Sequence, residues 1–139
     1  MDRTAELDAA CRRHEVVVLY LFGSRAGDGL DRLGGRRVDP QGADLDVGAV
    51  FTASSIDHHR LSALQVALED VFEPLRVDLV PLQRVDALFQ FAAISGHRVF
   101  AADSRRADEY ELLVMRRAAE LLPVQRRIER DVFGFGARR

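Results

Sequence analysis

The chain contains no lysine and no asparagine, and all 20 of its basic residues are arginine. Both missing residues have A-rich codons, so a GC-rich genome accounts for the bias. The arginine count by itself therefore says nothing about phosphate recognition. The missing lysine does exclude one mechanism, because a phosphate-loop NTPase needs the lysine that closes its Gly-Lys-Ser/Thr loop. One cysteine, Cys11, cannot form an intramolecular disulfide, which suits a reducing cytoplasm. No apolar run approaches the roughly 20 residues that span a bilayer, so no membrane association is expected. The start, Met1-Asp2-Arg3-Thr4, lacks the pattern of a secretory signal. A formal net charge of −2 sets up no basic field, and direct nucleic-acid binding is not expected.

What is present reads as one domain over residues 1–139, with 47% apolar and 30% charged residues. Leu7, Ala10 and Cys11 recur at helical spacing within 4–14. Residues 16–22 are almost continuously apolar and valine-rich, the pattern of a buried central strand. Gly23-Ser24 ends that run, with Ser24 placed to cap a short helix through Arg25 and Ala26. From 27 to 42 six glycines and prolines punctuate a polar stretch, which predicts a mobile surface loop or loose hairpin. Residues 44–51 alternate, with Asp44, Asp46 and Gly48 on one side and Leu45, Val47, Ala49 and Phe51 on the other, as in a strand with one apolar face. Ser54-Ser55 would cap a helix that reaches Pro74. A strand follows over 76–82, then a helix over 85–95 stopped by Gly96. An edge strand over 98–101 comes next. A long amphipathic helix over 104–122 is separated by Pro123 from a second over 125–133, and the last residues, 134–139, should fray. The fold class is thus α/β (α+β), about four strands flanked by helices, with a core over 14–101 and C-terminal helices over 104–133.

Three aspartates carry the chemistry. Residues i and i+2 of a strand project from one face, with Cα atoms about 6.5 Å apart. Asp44 and Asp46 therefore repel each other unless a cation lies between them. Asp78 interrupts a second apolar run, Val77-Asp78-Leu79-Val80, and joins the pair if the two strands are neighbours. A charge within an apolar run is costly unless paired or bound to metal. Mg²⁺ takes a few carboxylates and substrate phosphates. Three carboxylates suit a site of two ions about 3.5–4 Å apart that activates a hydroxyl and steadies a leaving pyrophosphate. Gly23-Ser24, directly after a buried strand, can hold phosphate oxygens with backbone N–H groups and a hydroxyl, and Arg25 can add charge there. His14, His58, His59 and His97 do not share a spacing that suggests a metal site.

These residues, Gly23-Ser24, Asp44-Leu45-Asp46 and Asp78 in that order, resemble the nucleotidyltransferase superfamily that includes DNA polymerase beta. The similarity is greatest to its minimal single-domain (MNT) members, the MntA-like antitoxins of HEPN/MNT pairs. It covers residues 14–82 well and the remainder more loosely. The resemblance implies a small mixed sheet and transfer of a nucleoside monophosphate from a nucleoside triphosphate to a hydroxyl. It assigns Asp44, Asp46 and Asp78 to catalysis and metal binding, with two Mg²⁺ ions or Mn²⁺ in their place. Gly23, Ser24 and Arg25 fall to nucleotide binding. It further implies a cytoplasmic antitoxin that places AMP from ATP on a tyrosine of a HEPN toxin. The stretch 28–41 is longer than usual in such proteins, a candidate specificity loop, and Ala43 stands where a serine is common. With no second domain to hold an acceptor, the acceptor must come from outside. An aminoglycoside-type small-molecule transferase, with a dimer supplying the missing wall, is one alternative. An antitoxin that neutralises by binding alone is the other.

Overall fold

The computed structural model describes residues 2–53 and 56–133. Its order is α1 (Thr4–Arg13), β1 (Val16–Phe22), α2 (Ala26–Leu33), β2 (Leu45–Phe51), α3 (His58–Phe72), β3 (Val77–Pro81), a 3₁₀ turn (Leu82–Arg84), α4 (Ala87–Ile94), β4 (His97–Ala101) and α5 (Ser104–Phe133). The strands form one mixed sheet in the order β3-β2-β1-β4. β1 is antiparallel to both β2 and β4, while β2 and β3 run parallel. The all-apolar run of β1 is explained by its central place, since all seven residues are buried.

Strand alternation gives the sheet two different faces. One carries Leu19, Leu21, Leu45, Val47, Ala49 and Val77 against α1, α2 and α3. The other carries Val18, Tyr20, Phe22 and Val50 against Leu82, Ala93 of α4 and Ala107 of α5. A bulge between Val16 and Val18 lets Val16 join Leu19 on the first face, although the two differ by an odd number of residues. Helix α5 is tied down by a polar network. The buried Tyr20 hydroxyl donates to Glu111 Oε2 at 2.6 Å, and Arg98 Nη1 bridges Asp108 and Glu111 at 2.8 and 3.0 Å. Burial and the Glu111 carboxylate push the Tyr20 phenol well above its ordinary value, so it remains a donor.

Several local expectations need correction. The glycine-punctuated stretch is helical as far as Leu33. Glycine is a poor helix former, but tertiary contact overrides it. A Cβ on Gly29 would lie 2.8 Å from Leu21 Cδ1 and 2.9 Å from Leu45 Cδ1, so its absence lets α2 lie flat on the sheet. Ser24 is not the cap of this helix; Arg25 holds that position and makes no side-chain cap bond. Helix α3 is capped by Asp57, whose carboxylate accepts from the Arg60 N–H. Ser54-Ser55 lie outside the described residues, as do 134–139. Pro123 does not divide the C-terminal segment, because α5 is continuous over 30 residues. One lost backbone bond is outweighed by strong helix formers on both sides.

Candidate active site

The three aspartates gather where β1 ends and β2 and β3 begin. β2 and β3 are in register, so Asp46 lies beside Asp78 on the same face, and Phe22 of β1 is the partner of Asp46 on its other side. Asp44 precedes the first residue of β2 by one position and is exposed. The Leu45 N–H donates to the Arg76 carbonyl at 2.7 Å, which locks the start of β2 against the approach to β3. Asp46 is half-buried and Asp78 exposed, so the carboxylates form a graded rim. Burial first, then the charges of Asp78 and Asp44, holds the Asp46 carboxyl above the usual carboxylate range. That shift is what carboxylates crowded together on one sheet edge produce.

Gly23 explains how a turn can be packed so closely against this group. Its φ is +75°, and a Cβ there would collide with Asp46 Oδ2. Only glycine lets the chain leave β1 in that conformation with the carboxylate seated against its Cα. Gly23 and Ser24 are both exposed beside it, and α2 begins three residues after Gly23. On the covered side, Gly96 fits the backbone of the α4–β4 turn against Phe22. A Cβ on Gly96 would meet Phe22 Cα at 3.0 Å and collide with the Leu21 carbonyl. Gly96 therefore serves close approach, and Ser95, in right-handed helical conformation, caps α4.

Arg25 departs from the phosphate-binding role expected of it. It is 6% exposed, and its guanidinium is committed within the chain. Nε donates to Asp28 at 2.9 Å, Nη1 to the carbonyls of Gln41 and Ala43 at 2.9 and 3.3 Å, and Nη2 to that of Asp39. The planar fork of arginine suits this task. Arg25 thus anchors the irregular segment that delivers Asp44. A polar cleft of about 310 Å³ opens beside that segment, lined by Pro40, Gln41, Gly42, Ala43, Asp44 and Arg76.

Among the described residues no group of three or more His, Cys, Asp or Glu side chains converges as a finished metal cage. Asp46 and Asp78 provide a hard-oxygen pair, with Asp44 at the rim. Mg²⁺ is commonly held by one or two carboxylates completed by substrate phosphates, so the donor set fits such an ion together with its substrate. The histidines stand apart, with His58 and His59 opening α3 and His97 opening β4. Cys11 lies on the buried face of α1, and that burial pushes its thiol up to about 12 and leaves it unreactive. No helix of the described residues is long and apolar enough to cross a membrane.

No family model matches the chain, and neither does any curated protein. Solved structures do. A chain of the complex of tri-AMPylated Shewanella oneidensis HEPN toxin with MNT antitoxin aligns at a TM-score of 0.66, 15% identity, over 94% of this chain and 95% of that one. A chain of a toxin–antitoxin structure with AMP-PNP aligns at 0.68 and 16%, covering 93% and 97%. A chain of the MntA-HepT toxin–antitoxin structure aligns at 0.66 and 14%, covering 94% and 96%. At such identities the likeness is one of fold: the chain shares its mixed-sheet α/β fold with chains of these toxin–antitoxin structures.

Proposed function

We infer that the protein is a metal-dependent nucleotidyltransferase that moves AMP from ATP to a hydroxyl of a partner protein, in keeping with a role as the antitoxin of a HEPN-type toxin. The observation that carries this reading is the placement of Asp46 against the Gly23 turn and beside Asp78, with Gly23, Ser24, Asp44 and Asp78 all exposed. One neighbour in fold comes from a complex with a tri-AMPylated HEPN toxin and another from a toxin–antitoxin structure with AMP-PNP, which supports both the partner and the nucleotide.

In this reading Asp44 and Asp46 hold Mg²⁺ together with the triphosphate, and Asp78 completes the site. Mg²⁺ bound there supplies positive charge against the phosphates. The Gly23-Ser24 turn offers its backbone N–H groups and the Ser24 hydroxyl to the phosphate oxygens at the start of α2. The acceptor oxygen attacks the α-phosphorus, the bond to the bridging oxygen of the β-phosphate breaks, and pyrophosphate leaves. Asp78 would take the hydroxyl proton. Arg25 acts at one remove, holding the segment that carries Asp44.

Incubation with Mg²⁺, α-labelled ATP and a HEPN-type protein encoded by the adjacent reading frame, should one be found there, should place label on that protein. Asp44→Ala and Asp46→Ala should each reduce transfer at least a hundredfold. No transfer, with both variants indistinguishable from wild type, would sink the enzymatic reading. One observation favours neutralisation by contact instead. Helix α5 exposes Leu112, Met115 and Leu121, which are 60%, 44% and 41% accessible. Undiminished neutralisation by the Asp44→Ala/Asp46→Ala double variant would select that reading.

A further inference from the structure

Phe89 is more exposed than its helix requires. It is the third residue of α4 and 42% accessible. Helix α4 is held without it, by the buried Ala93 against the sheet and by Gln90, which accepts from the Tyr110 hydroxyl at 2.7 Å. The Phe89 ring nevertheless has a fixed position. It stands at 84° to the ring of Phe22, with centroids 5.9 Å apart. Phe22 is 9% exposed and is the register partner of Asp46 on the same face of the sheet. It cannot retreat, because Gly96 packs against its backbone with no room for a methyl group. An accessible aromatic ring is thus braced, through one intermediary, at the edge of the acidic end of the sheet. Phe91, two positions on, points about 200° around the helix from Phe89 and does not share this wall.

We propose that Phe89 is the stacking wall for the base of the nucleotide whose phosphates lie at Asp46 and Asp78. It determines specificity by making the ligand a nucleotide in place of a bare polyphosphate or a phosphorylated sugar. This rests on the reading of the acidic end as a metal–triphosphate site. Stacking on an aromatic ring is available to every base, since each has a π face. The wall therefore supplies affinity for nucleotides as a class without selecting adenine. The polar rim formed by Asp44 and Asp78 offers nothing apolar to a base, and Phe89 is the large accessible ring in contact with the partner of Asp46.

The sequence has no tryptophan, so Phe89→Trp creates a single fluorescent reporter at the wall. With Mg²⁺ present, ATP should quench it and inorganic tripolyphosphate should not. By calorimetry, wild type should bind ATP more tightly than tripolyphosphate. Phe89→Ala should lose about tenfold in ATP affinity and nothing for tripolyphosphate, and Phe89→Tyr should recover it. Phe89→Leu keeps the apolar bulk without the ring, and serves if the alanine variant does not fold. Equal ATP affinity in wild type and the Ala or Leu variant, with Mg²⁺-dependent tripolyphosphate binding intact, overturns the wall and leaves the phosphate site standing. If tripolyphosphate fails to bind wild type, or binds Asp46→Asn equally well, the phosphate site itself is overturned and the wall with it.

Discussion

Two segments deliver the polar groups of the acidic end, and they are held in opposite ways. The Gly23 turn is fixed by its own backbone: a left-handed φ, a position directly after a buried strand, and a carboxylate filling the space where a side chain would stand. The segment from Asp39 to Asp44 has no regular structure. Its order is borrowed from Arg25, a residue of the first segment, which reaches across to three of its carbonyls. The turn is local and stiff, whereas the loop leans on contacts from elsewhere in the chain, the Arg25 guanidinium foremost. Asp46 depends on the first arrangement and Asp44 on the second, so the two carboxylates can be disturbed separately.

The largest effect should come from removing the shared anchor. Arg25→Ala leaves the carbonyls of Asp39, Gln41 and Ala43 without their donor and should cost about 2–4 kcal/mol in chemical denaturation. Amides of 39–44 should exchange with solvent faster, while those of β1 keep their protection. Arg25→Lys should recover only part of the loss, because an ammonium cannot reproduce the fork. Unchanged exchange in 39–44 would show that the loop has some other support. The next effect concerns the turn. Gly23→Ala forces a side chain into a left-handed position occupied by Asp46, and should cost about 1–3 kcal/mol. Transfer activity should fall with it while exchange in 39–44 stays as in wild type. A fully active, fully stable Gly23→Ala would remove the distinction between the segments.

The smallest effect is electrostatic. The folded chain holds the Asp46 carboxyl above its ordinary 3.8, so folding favours its protonated form. The stability it contributes is fully present below 3.8 and is lost as pH rises through the raised value. At pH 7 the charged Asp46 therefore works against the metal-free fold. Asp46→Asn should raise the thermal midpoint at pH 7 in the presence of a chelator. The gain should disappear at pH 3, where both side chains are neutral. Mg²⁺ with ATP should raise the midpoint of wild type and not of the variant. A lower midpoint for Asp46→Asn at pH 7 would mean that the charge of Asp46 does not oppose the fold.

Much of this architecture was legible residue by residue. Valine-rich β1 matches its predicted limits, Val16–Phe22, because a strand buried on both faces has no polar position to blur its ends. The alternation of β2 declared which side Asp46 takes, since the side-chain period of a strand leaves no choice. Three features were not legible. Helix α2 runs through glycines that local propensity reads as loop, because the tight contact with Leu21 and Leu45 is long-range. Arg25 looked like a phosphate ligand, because its carbonyl partners lie 14 to 18 residues away in a segment with no pattern. The exposure of Phe89 on α4 is the third, because periodicity marks an apolar face without saying whether anything covers it.

The sequence by itself thus determined the strands, their faces and the identity of the three aspartates, all of which follow from local periodicity and from the cost of placing charge in an apolar run. Only the tertiary structure decided which groups meet there. The pairing of β2 with β3 set Asp46 beside Asp78, the Gly23 turn closed against Asp46, and Arg25 was turned inward to hold the loop. Those choices depend on contacts between residues distant in sequence, which no local pattern records.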